Sequence, residues 1–167
     1  APDSVRTGLV QQIHREIEHA RAGKPARIRI KANSVVDEQL IDALYLASAE
    51  GVRVEALIRG ICALRPGVPG LSENIEVRSV LGRFLEHSRV YWFENDGDPA
   101  AWIGSADLMH RNLDRRVEVL VRLPGDDNVA EIRALLDLAL AEDTSAWVLQ
   151  PDGSWRRNTG ATHLHEA

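Results

Sequence analysis

Apolar positions recur along this chain with two different periods, which predict helices and strands in alternation through its first third. A helix is predicted over 3–22 by apolar residues spaced three or four apart, which are Val10, Ile13, Ile17 and Ala20. Charged and apolar residues then alternate over 26–32, which predicts a strand. A second helix is predicted over 37–50 and a second strand over 52–58. A strand, a helix and a strand in this order predict a βαβ unit with parallel strands and a right-handed crossover.

The pattern changes after residue 58. Two prolines and two glycines within 65–70 exclude regular structure there. The remaining strands are predicted over 75–80, 87–93, 101–105 and 116–122, with a tight turn at 95–98 that indicates an antiparallel hairpin. A helix over 126–141 and a small hairpin of 147–149 with 154–156 complete the pattern. We therefore predict an α/β fold with a mixed β-sheet flanked by helices, as a single domain over 1–157, and a disordered tail over 158–167.

Composition narrows the class of protein. The 167 residues are 44% hydrophobic and 27% charged, as in globular proteins that bury a core. The net charge of −5 argues against a general nucleic-acid binder. Cys62 is the only cysteine, and neither a signal peptide nor an apolar run of membrane-spanning length stands out, so we expect a cytoplasmic protein. The chain begins at Ala1 without an initiator Met, and we expect it to be cut from a longer protein.

Candidate chemistry gathers where the apolar runs end. His87 and Arg89 lie two residues apart on a predicted strand, so they share a face of the sheet. Gly104 and Ser105 end the next strand, where a backbone N–H and a hydroxyl would add donors. Arg carries a permanent planar charge, and His can hold a proton or accept a phosphoryl group. These residue types indicate a phosphate site, although a histidine in a strand also commonly has a structural role.

The spacing of these residues resembles that of the phospholipase D superfamily. In that family His-x-Lys on one strand and Gly-Ser-x-Asn after the next strand build half of a two-histidine phosphoryl-transfer site. This chain has Arg89 where Lys is usual, Asp107 where Asn is usual and Glu94 where Asp is usual.

A closer resemblance, to the bacterial polyphosphate kinases, covers nearly the whole chain. It is carried in order by Asn33–Asp37, Arg59–Asn74, Gly82–Arg89, Ile103–Asp107 and Asn112–Glu118. The chain is identified as a member of this family, as its C-terminal phospholipase D-like catalytic domain.

The resemblance implies a transferase that moves the γ-phosphate of ATP reversibly onto inorganic polyphosphate. It places Arg59 and His87 on the phosphates of ATP with Arg116 close by, and His87 as the catalytic residue. We expect Arg89, Arg115 and Ser105 to make further phosphate contacts, and Asp107 and Asp114 to orient the arginines. His110 is expected in a loop near the site.

The resemblance also implies partners beyond this chain. In this family the phosphorylated histidine, the arginines associated with Mg²⁺ and the aromatic residue that stacks on adenine lie in the preceding catalytic domain. We therefore expect Mg²⁺ to bind mainly outside this chain, no metal site within it, and no phosphotransfer by this chain alone. The complete enzyme, which binds ATP or ADP and polyphosphate but no nucleic acid, is expected to be a homo-oligomer, and peripheral membrane association stays open.

Two other functions remain open at this point. One is a phosphodiesterase of the phospholipase D type, whose second histidine would come from a dimer partner. The other is a non-catalytic module that binds polyphosphate or nucleotide.

Overall fold

The βαβ unit predicted from the first third of the chain is present in the computed structural model, which describes residues 2–80 and 82–165. The opening helix α1 (Pro2–Arg21) precedes this unit, whose elements are, in order, β1 (Arg27–Ala32), α2 (Glu38–Ala49) and β2 (Arg53–Ile58). Helix α2 starts where it does because the Asp37 carboxylate accepts a hydrogen bond from the Leu40 N–H at 3.1 Å. No described helix has the length and apolarity that crossing a membrane requires.

The rest of the chain adds strands to both sides of this unit. These elements are β3 (Ile75–Ser79), β4 (Arg89–Phe93), β5 (Ala100–Gly104), α3 (His110–Arg115), β6 (Leu120–Arg122), α4 (Asp126–Leu140), β7 (Ala146–Leu149) and β8 (Trp155–Asn158). The predicted turn between β4 and β5 is a short 3₁₀ segment, Asn95–Gly97, with positive φ at all three residues. Asn, Asp and Gly tolerate this conformation better than other residues do.

The eight strands form one sheet in the order β6-β5-β4-β1-β2-β3-β7-β8. β2 pairs in parallel with β1 on one side and with β3 on the other, and all the other pairings are antiparallel. The predicted α/β fold with a mixed sheet is confirmed. Because Ala32 lies opposite Ile58, the segments that follow β1 and β2 leave the sheet side by side. β4 begins and β5 ends at this same edge, where Arg89 lies opposite Gly104. The topology thus brings four separate segments to one edge.

The core lies on both faces of the sheet. Successive side chains of β4 point to opposite faces, and they join different apolar clusters. Tyr91 and Phe93 pack in the larger cluster with the buried residues of α1 and α2. Val90 and Trp92 pack in the smaller cluster with Val129 and Leu136 of α4. Helices therefore cover both faces, which leaves the sheet edges and the loops as the places where chemistry can occur.

Three predicted boundaries differ from the structure around the site. β4 starts at Arg89, so His87 lies in the preceding loop, and β6 starts only at Leu120. His110, expected in a loop, is instead the first residue of the helix α3. This helix has six residues, and its N-cap residue Met109 makes no side-chain capping bond. The sequence therefore contains neither an apolar stripe nor a capping motif that would have predicted this helix.

The C-terminal segment also differs from its prediction. A disordered tail was expected from Asn158, but the described residues 158–165 are held by specific bonds. The Asn158 side chain donates to the carbonyl oxygen of Glu142 at 2.7 Å, and the Asp143 carboxylate accepts from the N–H of Ala161 at 3.1 Å and the hydroxyl of Thr162 at 2.9 Å. These partners are distant in sequence, so no local pattern indicates them. Residues 166 and 167 lie outside the described part of the chain.

The burial of Trp92 generates a stability prediction. Trp92 is fully buried, with the Arg29 guanidinium 5.3 Å from the centre of its ring. We predict that Trp92→Ala lowers the free energy of unfolding by about 3–5 kcal/mol, because it removes a large core side chain and leaves a cavity. Trp155→Ala, at a 38% exposed position on the edge strand β8, is the matched control and should cost less. Urea denaturation followed by circular dichroism measures both, and equal losses would contradict this account of the core.

Candidate functional site

A buried carboxylate organises the sheet edge at which the four segments meet. Asp107, three residues beyond the end of β5, is 5% exposed. Its Oδ1 accepts from the Asn33 backbone N–H at 2.7 Å, and its Oδ2 accepts from Asn33 Nδ2 at 3.0 Å and from Arg89 Nη2 at 2.9 Å. Asp107 thereby joins the segment after β1 to the start of β4. The expectation that Asp107 orients an arginine matches this geometry.

These bonds also fix the charge of Asp107. Burial raises the pKa of this carboxyl group, but the hydrogen bonds from Arg89 and Asn33 outweigh it and hold the pKa below its ordinary value of 3.8. Asp107 is therefore an anion at neutral pH, and it compensates the guanidinium of Arg89.

Asn33 extends this network to Arg59. Its Oδ1 accepts from Arg59 Nε at 3.1 Å and Nη2 at 2.8 Å, while its amide nitrogen donates to Asp107. The backbone is close here as well, since the Gly60 N–H donates to the Asn33 carbonyl at 2.7 Å and a Cβ on Gly60 would stand 2.9 Å from that oxygen. Arg59 is half-buried, and its Nη1 has no hydrogen-bond partner among the described residues. That nitrogen remains available to a ligand.

The other end of the network holds His87. Arg89 Nη1 donates to the His87 carbonyl at 2.8 Å and lies 3.0 Å from His87 Nδ1. A guanidinium can only donate, so Nδ1 must act as the acceptor in this contact. A neutral His87 in this arrangement consequently carries its proton on Nε2. We call this series of hydrogen-bonded side chains, Arg59–Asn33–Asp107–Arg89–His87, the edge network.

Ser105 belongs to a second, adjacent cluster. Its hydroxyl donates to Glu118 and accepts from the Val119 N–H at 3.3 Å. Glu118 is 5% exposed, and its other oxygen accepts from Asn112 Nδ2 at 2.6 Å. The proton that Ser105 was expected to offer to a phosphate is therefore bound to Glu118 in this structure. Asn112 and Glu118 are the two ends of the sequence block 112–118, but the hydrogen bonds that Glu118 accepts from Asn112 and Ser105 were not predicted from the sequence.

Arg115 and Arg116 have no part in either cluster. Both are exposed, and neither makes a hydrogen bond or an ion pair with any residue in 2–80 or 82–165. Arg115 ends α3, and Arg116 stands two residues before the Glu118 that binds Ser105. The structure thus leaves two unpaired guanidinium groups on the segment next to the edge network, without direct contact to it.

Two further residues differ from their expected positions. Asp114, expected to orient the arginines of the site, pairs with Arg6 of α1 at 2.6 Å and with His110 at 3.1 Å. His110 also lies 2.7 Å from Glu38, at the start of α2. The bonds to Asp114 and then Glu38 raise the pKa of His110 above its ordinary value. These residues tie α1, α2 and α3 together on the surface and are not part of the edge network.

Residues with metal-binding chemistry are scarce here. Within the described ranges, no group of three or more His, Cys, Asp or Glu side chains could hold a metal ion. Cys62 is half-buried, and burial raises the pKa of its thiol to about 11, so it is not a reactive thiolate at neutral pH. The chemistry of the edge is therefore that of guanidinium groups and one exposed imidazole.

Comparison with known proteins identifies the family. Residues 1–166 match the family model described as "Polyphosphate kinase C-terminal domain 2". The chain belongs to the polyphosphate kinase C-terminal domain family. It is 61% identical over 158 residues to the polyphosphate kinase of Streptomyces coelicolor and 56% identical over 155 residues to that of Mycobacterium avium. These alignments cover 95% and 93% of the chain but 21% of each relative. The chain thus spans about a fifth of the length of the curated relatives it matches.

One solved structure agrees with this membership. The crystal structure of polyphosphate kinase from Porphyromonas gingivalis is similar with a TM-score of 0.89 and 32% identity, over 95% of this chain and 24% of that one. NucT from Helicobacter pylori is similar in fold alone, with a TM-score of 0.56 and 11% identity over 80% of this chain and 89% of that one. A phospholipase D family member, Nuc from Salmonella typhimurium, is also a neighbour, at a TM-score of 0.49 and 20% identity over 71% of this chain and 79% of that one.

The edge network generates a prediction about stability and its dependence on pH. We predict that Asp107→Ala lowers the free energy of unfolding by about 3–5 kcal/mol at pH 7, because it leaves the guanidinium of Arg89 without its buried partner. The pKa of Asp107 is lower in the folded state than in the unfolded state, so its contribution is present above about pH 4 and is lost as the pH falls through the folded-state pKa. Urea titrations at pH 7 and at pH 3 should therefore show a smaller difference between variant and wild type in acid.

Asp114→Ala is the control, because that carboxylate is exposed and pairs with Arg6 on the surface. It should cost less than Asp107→Ala at pH 7. If both variants unfold at the same urea concentration, the edge network does not hold the four segments together.

Proposed function

We propose that this chain is the C-terminal catalytic domain of a polyphosphate kinase, which transfers the γ-phosphate of ATP reversibly to inorganic polyphosphate. Two findings support the proposal: the family membership and the identity of 61% to a polyphosphate kinase. Since the chain spans 21% of that relative, the reaction is assigned to the whole polypeptide that carries it. This chain supplies one wall of the site.

The observation that carries the proposed mechanism is the edge network. It holds an exposed imidazole with its Nε2 proton directed away from Arg89, on the same network that fixes Arg59. We assign His87 as the catalytic residue, whose neutral ring donates a hydrogen bond from Nε2–H to an oxygen of the transferring phosphoryl group in either direction of the reaction, and so stabilises the charge that develops there. The arginines stabilise the charge on the transferring phosphoryl oxygens, which is the main requirement of phosphoryl transfer.

The roles of the other side chains follow from which of their hydrogen-bonding atoms have no partner among the described residues. Arg59 has Nη1 available for a phosphate of ATP, and Arg116 and Arg115 are unpaired on the neighbouring segment. Arg89 acts by holding His87, because four of its contacts go to Asp107 and His87. Ser105 contributes at most an acceptor or its backbone, since its proton is bound to Glu118.

A nucleotide reaction of this kind uses Mg²⁺, and the described residues beside the edge network do not fit the ion. The two buried carboxylates beside the edge, Asp107 and Glu118, already accept hydrogen bonds from arginine, asparagine and serine side chains. We therefore assign Mg²⁺, together with the phosphorylated histidine, to a preceding catalytic domain of the same polypeptide.

One exposed surface supports contact with such a domain. Val117, Val119 and Val121 alternate along the segment that leads into the edge strand β6, with exposures of 84%, 54% and 53%. Contiguous apolar surface of this kind is typical of an interface. Homo-oligomerisation and a cytoplasmic location of the complete enzyme stay predictions of the same proposal.

The orientation of His87 also separates this function from a phospholipase D-type phosphodiesterase. A histidine that attacks phosphorus does so through an unprotonated nitrogen, and the free nitrogen of His87 is the one that carries the proton. We therefore favour a hydrogen bond from His87 to the phosphoryl group over a covalent phosphohistidine at this position.

The first functional prediction concerns His87. In the natural polypeptide that carries this chain, His87→Ala should lower the rate of polyphosphate synthesis from ATP by about 10²–10³-fold, because it removes a hydrogen-bond donor to the charge that develops in the transition state. His110→Ala is the matched control, since His110 is bound to Asp114 and Glu38 away from the network, and it should keep the wild-type rate. Retention of more than about a tenth of the wild-type rate by a folded His87→Ala enzyme, less loss than removal of such a donor predicts, would make His87 structural.

The second functional prediction separates arginine position from general basicity. Arg59→Lys and Arg116→Lys should each weaken catalysis with ATP and polyphosphate, since one point charge does not replace a planar guanidinium. Arg156→Lys and Arg157→Lys change exposed residues of β8 and are the controls. Steady-state kinetics of the four variants decide the matter, and similar effects at both pairs would refute the assignment.

The third functional prediction concerns this chain alone. We expect it to make no polyphosphate from ATP and to take up no stable label from radioactive γ-phosphate, because the phosphorylated histidine is assigned elsewhere. It should still bind polyphosphate, more weakly as salt is added, since the contacts are partly Coulombic. Mass spectrometry that finds phosphate on His87 would favour the phospholipase D-type reaction.

A further inference from the structure

The loop that carries His87 has few attachments to the rest of the molecule. Among the described residues, no backbone-to-backbone hydrogen bond involves residues 82–87. Phe84 and Leu85 are 63% and 69% exposed, so the loop has little apolar anchoring of its own. Its position must therefore depend on side-chain contacts.

Glu86 provides the contact to the sheet. Its carboxylate forms an ion pair with Lys31 of β1, whose side chain is 4% exposed. Lys31 also donates to the Ser88 hydroxyl at 2.6 Å. The hydrogen bond and the charge of Lys31, with a further bond from His165, outweigh the burial that raises the pKa of Glu86 and hold it below its ordinary value. A single carboxylate thus anchors the residue next to His87.

His165 provides the contact to the C-terminal segment. Its Nδ1 accepts from the Phe84 N–H at 3.1 Å, and its Nε2 lies 3.0 Å from Glu86 Oε1. One neutral tautomer satisfies both bonds, with the acceptor at Nδ1 and the proton at Nε2. The ring also packs against Phe84 at 5.6 Å between centroids, and a Cβ on Gly82 would stand 2.3 Å from Nδ1. His165 therefore touches the loop at three of its residues.

The segment that carries His165 is itself anchored to the body of the protein. Asp143 binds Ala161 and Thr162, and Leu164 packs against the apolar cluster of Leu57, Val80, Ala139 and Ala146. Gly160 lies so close to the Asp143 carbonyl that a Cβ would stand 1.8 Å from the oxygen. The segment 160–165 can therefore serve as a fixed support for the loop.

We propose that His165 is a positioning residue for the reaction: through Glu86 and the backbone of Phe84 it fixes the loop 82–87, and so places His87 against the substrate phosphate. This inference rests on the proposed function for its consequence in catalysis, but the support itself is a property of the fold. A misplacement of about 1 Å in a reacting group costs up to about 10²-fold in rate. The loss should therefore appear in kcat, while the KM for ATP, which depends on the arginines, stays near the wild-type value.

The test compares two histidines of the same segment in the natural polypeptide. His165→Ala should lower kcat for polyphosphate synthesis by about tenfold or more, within the range expected for misplacement, with little change in the KM for ATP. His163→Ala is the control, because His163 is exposed and makes no hydrogen bond or ion pair with the described residues of the loop. Hydrogen exchange should become faster in peptides that cover 82–88 in the first variant and not in the second.

The outcomes separate this inference from the proposed function. If the wild-type polypeptide makes no polyphosphate, the proposed function fails, while the exchange of 82–88 still tests the support. If it does make polyphosphate and His165→Ala matches His163→Ala in kcat and in exchange, the inference is overturned. A loss of kcat without faster exchange at 82–88 also overturns it. Should His165→Ala unfold as a whole, His165→Phe takes its place, because a phenyl ring keeps the packing on Phe84 but can neither accept from the Phe84 N–H nor donate to Glu86, and the same comparison with His163→Ala decides.

Discussion

The site depends on the buried ion pair between Asp107 and Arg89. The two side chains are 2.9 Å apart, and Asp107 is also bound by the backbone and the amide of Asn33. A buried carboxylate with several charged and polar donors is a demanding arrangement, because removal of any partner leaves a charge or a polar group unsatisfied. In this chain these bonds fix the segments after β1 and β5 relative to the start of β4. Arg59 and His87 are attached to the two ends of the same network.

Much of the fold was predictable from local patterns. The βαβ unit follows from apolar periodicity, and parallel pairing alone requires the residues after β1 and β2 to leave the sheet together. The proximity of His87 and Arg89 was also predicted, although it arises from hydrogen bonds of the Arg89 guanidinium and not from a shared strand face. The bond between Asn33 and Asp107 was not predictable, because it spans 74 positions and both residue types are common in loops.

The order of the C-terminal segment was not predictable either, for the same reason. Residues 158–165 are polar and contain Gly160, a composition typical of a disordered tail. Their order comes from Asp143 and from the loop 82–87, which are distant in sequence. A tail that reaches the loop next to the proposed catalytic residue couples the C-terminal segment to the chemistry of the edge. The same physical constraint governs both places: polar groups with few local partners are positioned by long-range hydrogen bonds.

The central claim is that the edge network holds His87 as the neutral tautomer with its proton on Nε2. Nitrogen NMR of the imidazole in this chain at a pH where His87 is neutral tests it most directly, with the His87→Ala spectrum used to assign the signal. The account predicts a protonated Nε2 and an unprotonated Nδ1, and it predicts that Arg89→Ala returns the ring to a mixture of tautomers. A wild-type His87 with its proton on Nδ1 would contradict the proposed hydrogen bond from Arg89, and with it the assignment of His87 Nε2 as the hydrogen-bond donor to the phosphoryl group.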